Sequence, residues 1–170
     1  LWLGLAALPV LAWQMRLVTS RQERQLGIEL VGTAALSLTA PAAYWVSLGT
    51  YDTRGWWLWA LSCLYAASAI VYVYMRLNQR RLTTMPSWNE RWRAGLRVLL
   101  YAGVSLIFVS LGSLFGLFAS LAPIPFALAL VHFIYGIARP AVGARPVQIG
   151  TEQSVATLLF YILSGLTLRG

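Results

Sequence analysis

Three ionisable side chains stand within or beside long apolar runs: Glu29, His132 and Glu152. Charges at membrane depth cost several kcal/mol, so such groups are functional candidates by default. Arginines flank each of them: Arg24 lies before Glu29, Arg139 after His132, and Arg145 before Glu152. An imidazole titrates near neutral pH and suits proton shuttling, or general acid–base work with Glu29. The arginine forks suit the phosphate or carboxylate of a small anionic or lipid ligand. Each residue also has a plain structural role. Glu29 pairs with an interfacial arginine, His132 donates to a backbone carbonyl, and Glu152 favours a helix N-terminus. Both readings stay open at this level.

The elements that would position these groups follow from composition and charge placement. The 170 residues are 59% hydrophobic and 11% charged, with a formal net charge of +8. Their mean hydropathy is +0.68, and a soluble domain usually has about 25% charged residues. All thirteen basic residues are arginines, and they alternate between the gaps that separate the apolar runs. That is the positive-inside pattern of a multi-pass inner-membrane protein. The expected fold is all-α: a polytopic transmembrane helix bundle of about six spans, the first truncated, in one membrane-embedded domain. Spans are expected at 1–13, 27–49, 56–75, 96–113, 122–138 and 153–168, with cytoplasmic loops at 14–26, 76–95 and 139–152.

Local signals support that division. The run at 1–13 is shorter than the roughly 20 residues of a full span, and it lacks the basic n-region of a signal peptide. The expectation is that an N-terminal part precedes it. Ser20-x-x-Glu23 and Ser87-x-x-Glu90 are capping-box patterns, and Pro41 is an expected kink. Trp56, Trp57 and Trp59 at one end of the third span, with Tyr72 and Tyr74 at the other, form aromatic belts. Trp88 and Trp92 alternate with Arg91 and Arg93 as in a short interfacial helix in the headgroups. The 43 residues of 96–138 would make a helix of about 64 Å, twice a hydrocarbon core, so a turn is expected near 113–122. Gly112-x-x-x-Gly116 suits close packing or that turn.

Several classes are disfavoured. The arginines occupy short loops rather than one basic face, which argues against nucleic acid as a partner. Cys63 alone gives neither a disulfide nor a thiolate metal site. One histidine excludes a His-based zinc triad, and the single Asp52 leaves no paired acidic motif for metal-held diphosphate. No Gly-rich nucleotide loop or nucleophile elbow occurs. No cofactor or metal is expected, and no catalytic residue is assigned. Expected partners are the lipid bilayer and anionic headgroups at the cytoplasmic face; protein partners are not legible.

The stretch from Arg21 through Glu29 to Leu30, followed by Leu38-Thr39-Ala40-Pro41-Ala42-Ala43-Tyr44, resembles the YwiC-like family of bacterial integral membrane proteins. So does Arg145-Pro146-Val147-Gln148-Ile149-Gly150-Thr151-Glu152, leading into the final span. The resemblance covers most of the chain, although the family's N-terminal His-Gly-Ala-Trp motif does not occur here. It implies an integral membrane protein and, because the family is functionally uncharacterised, transfers no catalytic residue. Three functions remain open. The first is binding or transport of a small solute or lipid at a cytoplasmic mouth built from Arg24, Glu29, His132, Arg139, Arg145 and Glu152. The second is a membrane enzyme acting on an isoprenoid or phospholipid; the third is a non-catalytic assembly partner.

Overall fold

The computed structural model describes residues 26–167. The run at 1–13, the Ser20–Glu23 pattern and Arg24 lie outside them. All regular structure among the described residues is helical: α1 (Leu26–Leu36), α2 (Thr39–Leu48), α3 (Arg54–Gln79), α4 (Trp88–Leu114), α5 (Pro123–Ala138) and α6 (Pro146–Thr167). Among the described residues, three segments are long and apolar enough to cross a membrane, Glu29–Leu48, Arg54–Gln79 and Trp88–Leu114, and Pro123–Ala138 is a shorter apolar helix. The chain is therefore an all-α, multi-pass membrane protein in contact with lipid. It divides into two compact units, Leu1–Ile70 and Val71–Gly170.

In the first unit, proline decides where the backbone breaks. Pro41 has no N–H to donate to the carbonyl four residues earlier, and its ring crowds that carbonyl, which belongs to Ser37. The chain accordingly steps between α1 and α2 at Ser37 and Leu38, ahead of the proline itself. Leu38 N–H turns to Ala35 O at 3.1 Å, and Ala40 N–H takes Ser37 O at 3.1 Å. Two carbonyls thereby lose their helical donors, and side chains replace them. Trp59 Nε1 donates to Ala34 O at 2.8 Å, and Thr39 Oγ1 donates to Leu36 O at 2.8 Å. At the far end of α2, Trp45 donates to Asp52 O at 2.6 Å and meets the Tyr51 and Trp56 rings at 5.1 and 5.5 Å. Gly55 admits that indole, because a Cβ there would stand 2.5 Å from Trp45 Nε1.

The second unit holds the end of α3 with α4, α5 and α6. α4 and α5 form an antiparallel hairpin. At one end Gly95 allows Ile137 against the α4 backbone, where a Cβ would come within 2.6 Å of Ile137 Cγ1. At the other, Gly116 has φ +73°, a left-handed conformation that glycine reaches without a Cβ clash. Leu117 N–H bonds Gly112 O at 2.8 Å and Gly116 N–H bonds Ser113 O at 3.1 Å, which closes α4 with a Schellman motif. Phe118 then folds back against Gly112. The Gly112-x-x-x-Gly116 pattern thus serves both the turn and packing within the chain.

Three helices overrun their apolar stretches. α3 continues past Met75 through Arg76 to Gln79, and α6 begins at Pro146, so Glu152 is already in its second turn. The segment around Trp88 and Trp92 is not a separate interfacial helix: it is the start of α4, continuous into the apolar stretch. Ser87 begins it, with its amide and hydroxyl donating to Glu90 Oε2 at 2.7 and 2.8 Å. Nothing between Trp92 and Leu96 breaks the helix, since Gly95 is used for packing rather than for a turn.

Candidate functional site

The site begins with the C-terminus of α5. The last carbonyls of any helix lack intrahelical donors, and here cationic side chains from neighbouring helices supply them. Arg76, one turn from the end of α3, donates Nη1 to Gly136 O at 3.1 Å and to Arg139 O, and Nη2 to Glu152 Oε2 at 3.4 Å. Arg91 of α4 donates to Ala138 O at 3.0 Å. The connection after α5 is tied to the C-terminal end of α3. Gln79 Oε1 accepts from Ala141 N–H at 3.3 Å, and Gly143 N–H donates to Arg80 O at 3.3 Å.

Arg76 reaches these carbonyls because α3 packs closely on α5. Gly136 lies directly under the Tyr72 ring, where any Cβ would collide with the phenol oxygen. Tyr72 also meets the Phe133 ring at 4.8 Å and the His132 ring at 5.3 Å, both tilted against it. The Arg76 guanidinium sits 5.9 Å from the centre of the Tyr72 ring, one helical turn along α3. Only 9% of the arginine is exposed. An arginine this buried is tolerated because it is bonded to carbonyls and a carboxylate rather than left isolated.

Beside this cluster is an open cleft of about 790 Å³ between α5 and α6. Tyr72, Arg76, His132, Arg139 and Glu152 line its polar end, and Val155, Ala156 and Leu159 its apolar end. His132 Nε2 is buried and has no hydrogen-bond partner among the described residues. Arg139 is exposed; its Nη1 donates to Tyr135 Oη at 2.7 Å and its guanidinium lies 4.9 Å from that ring centre. Such a cleft offers an oxyanion a buried and an exposed guanidinium donor together with an imidazole nitrogen.

Of the six candidates from sequence, His132, Arg139 and Glu152 line this cleft. Arg145 does not: it is exposed and precedes α6, where its backbone accepts from Gln148 and donates back to the Gln148 side chain. Glu29 is half-buried on α1 in the first unit, and Arg24 falls outside the described residues. Arg76 is not among those candidates, because in the sequence it belongs with the arginines that set orientation. A signal was present, because Tyr65, Tyr72, Arg76 and Gln79 continue one helical stripe past Met75, and all four are buried. Among the described residues, no three His, Cys, Asp or Glu side chains converge as metal ligands.

Compared with known proteins, the chain is similar to the uncharacterized protein YwiC of Bacillus subtilis (strain 168), at 26% identity over 134 residues. The match covers 78% of this chain and 51% of that protein, so the chain spans about half the length of the relative. No family model matches the sequence, and no solved structure matches it significantly.

Proposed function

We propose that this YwiC-like, multi-pass membrane protein binds a small anionic solute or an anionic lipid headgroup in the cleft between α5 and α6. The observation that carries the reading is Arg76. It is a buried, pre-oriented guanidinium facing an open cleft beside an unpartnered imidazole nitrogen and a second, exposed arginine. Holding a donor in place before the ligand arrives lowers the cost of binding.

The distribution of arginines supports a cleft mouth on the cytoplasmic side of an inner membrane. Arg80, Arg81, Arg91, Arg93 and Arg97 lie in or near the α3–α4 connection, and Arg139 and Arg145 in the α5–α6 connection. Leu82, Met85 and Trp88 are exposed among them, a mixture suited to anionic headgroups and the acyl boundary. The test is native mass spectrometry of the gently solubilised full-length protein and of Arg139→Gln. A retained anion on the wild type, depleted in the variant, is the expected result. An anion retained equally by both, or none on either, would remove the cleft from consideration.

A further inference from the structure

We infer that the cleft's ligand is a single-tailed anionic amphiphile, with an oxyanion head on one hydrocarbon chain, entering sideways between α5 and α6. The head displaces the Glu152 carboxylate from Arg76. This rests on the anion-binding reading above and narrows it to a ligand class.

The first argument is the way α6 is attached. Its buried residues are Ile149 and Phe160, and Phe160 meets Phe126 of α5 edge-on at 5.0 Å. These two anchors are eleven residues apart, about 16 Å along a helix. The cleft runs along α6 past Ile149, from Val147 to Leu159. Its polarity is graded along α6: Glu152 faces Arg76, whereas Val155, Ala156 and Leu159 follow within about 10 Å. The lips, Tyr135 on α5 and Leu159 on α6, are 55% and 53% exposed. Lips so exposed leave the cleft open at its rim.

The second argument is size. An inorganic oxyanion needs only the polar end, whereas the open cleft, about 790 Å³ in all, continues past it along Val155, Ala156 and Leu159. The third is electrostatic. Arg76 Nη1 is committed to carbonyls, but Nη2 holds Glu152, whose side chain is 58% exposed. An exposed carboxylate resting on a buried guanidinium is readily exchanged for another oxyanion. Glu152 therefore occupies the head's place while the cleft is empty, and leaves a net positive end when displaced.

The test uses the full-length protein in phosphatidylcholine nanodiscs with a dodecyl phosphate carrying a photoactivatable diazirine in its tail. Cross-links are mapped by peptide mass spectrometry, and inorganic phosphate is titrated separately by thermal shift. Labelling concentrated on 131–135 and 155–159, lost in Ala156→Trp, is expected. Glu152→Gln should tighten dodecyl phosphate roughly tenfold, as a competing charge within about 4 Å is removed. Labelling spread evenly over the outer face of α4, with inorganic phosphate still stabilising the protein, overturns the tailed ligand and leaves the anion site standing. No response to either phosphate overturns both. Unchanged or weaker binding by Glu152→Gln refutes the displacement step.

Discussion

Replacing Arg76 with methionine separates two accounts of what this arginine stabilises. Methionine keeps an unbranched apolar stem of similar reach, so the loss is confined to the guanidinium. That group makes bonds to two carbonyls at the end of α5 and one to Glu152. A bond from a charged donor contributes about 1.5–3 kcal/mol, so losing the two carbonyl contacts costs about 3–6 kcal/mol. The Glu152 partner is 58% exposed, and pairs of that kind are worth about 0–1 kcal/mol. Arg76→Met should therefore be severely destabilising and Glu152→Gln nearly neutral. Arg76→Lys should fall between them, because one ammonium cannot reproduce the fork. The assay is reversible unfolding in mixed dodecyl maltoside and dodecyl sulfate micelles, followed by tryptophan fluorescence. Glu152→Gln destabilising as much as Arg76→Met would show that the ion pair, not the capping of α5, is what matters. An Arg76→Met variant within about 0.5 kcal/mol of wild type would refute the argument altogether, since surface changes alone fall in that range.

Two further outcomes follow from contacts described above. Gly136→Ala drives a methyl into the Tyr72 phenol and should cost about 1–3 kcal/mol by overpacking. Tyr72→Phe in the same chain removes the nearest atom and should recover part of that loss, and strict additivity of the two changes in the unfolding assay would disprove the contact. Trp59→Phe leaves Ala34 O without the donor that replaced its helical partner, at about 1–3 kcal/mol; a variant as stable as wild type would mean that this carbonyl finds another donor.

The all-α class and membrane character were legible because apolar runs and sparse charge permit little else. Helix ends are less legible, because a charge does not by itself end a helix. Arg76 and Gln79 stay helical because their stripe has something to bond, namely the loose end of α5, which no local pattern reveals. Glu152 was placed ahead of a helix, although Pro146 is a good first-turn residue and marks an earlier start. Pro41 was recognised as a disturbance. Its effect appears four residues upstream, where its ring meets the Ser37 carbonyl, and the repair comes from Trp59, a residue assigned to an aromatic belt. His132 and Glu152 line the cleft, and in the sequence only their rarity within apolar runs marks them. Their neighbour Tyr72 and the cleft itself depend on Gly136, whose importance lies in a contact between helices.

The two-point attachment of α6 has a consequence for how the protein breathes. Local opening draws on the elements with the fewest buried contacts, and α6 buries two side chains along twenty-two residues. α4 buries Gly95, Val98, Ala102, Ser105, Val109 and Gly112 in a continuous seam. Amide exchange in α6 should therefore outpace that in the α4–α5 hairpin, and the midsection between Ile149 and Phe160 should exchange as one cooperative segment. The hairpin then behaves as a fixed wall and α6 as the leaf that swings, so the second unit has its own order of melting built into the spacing of two side chains.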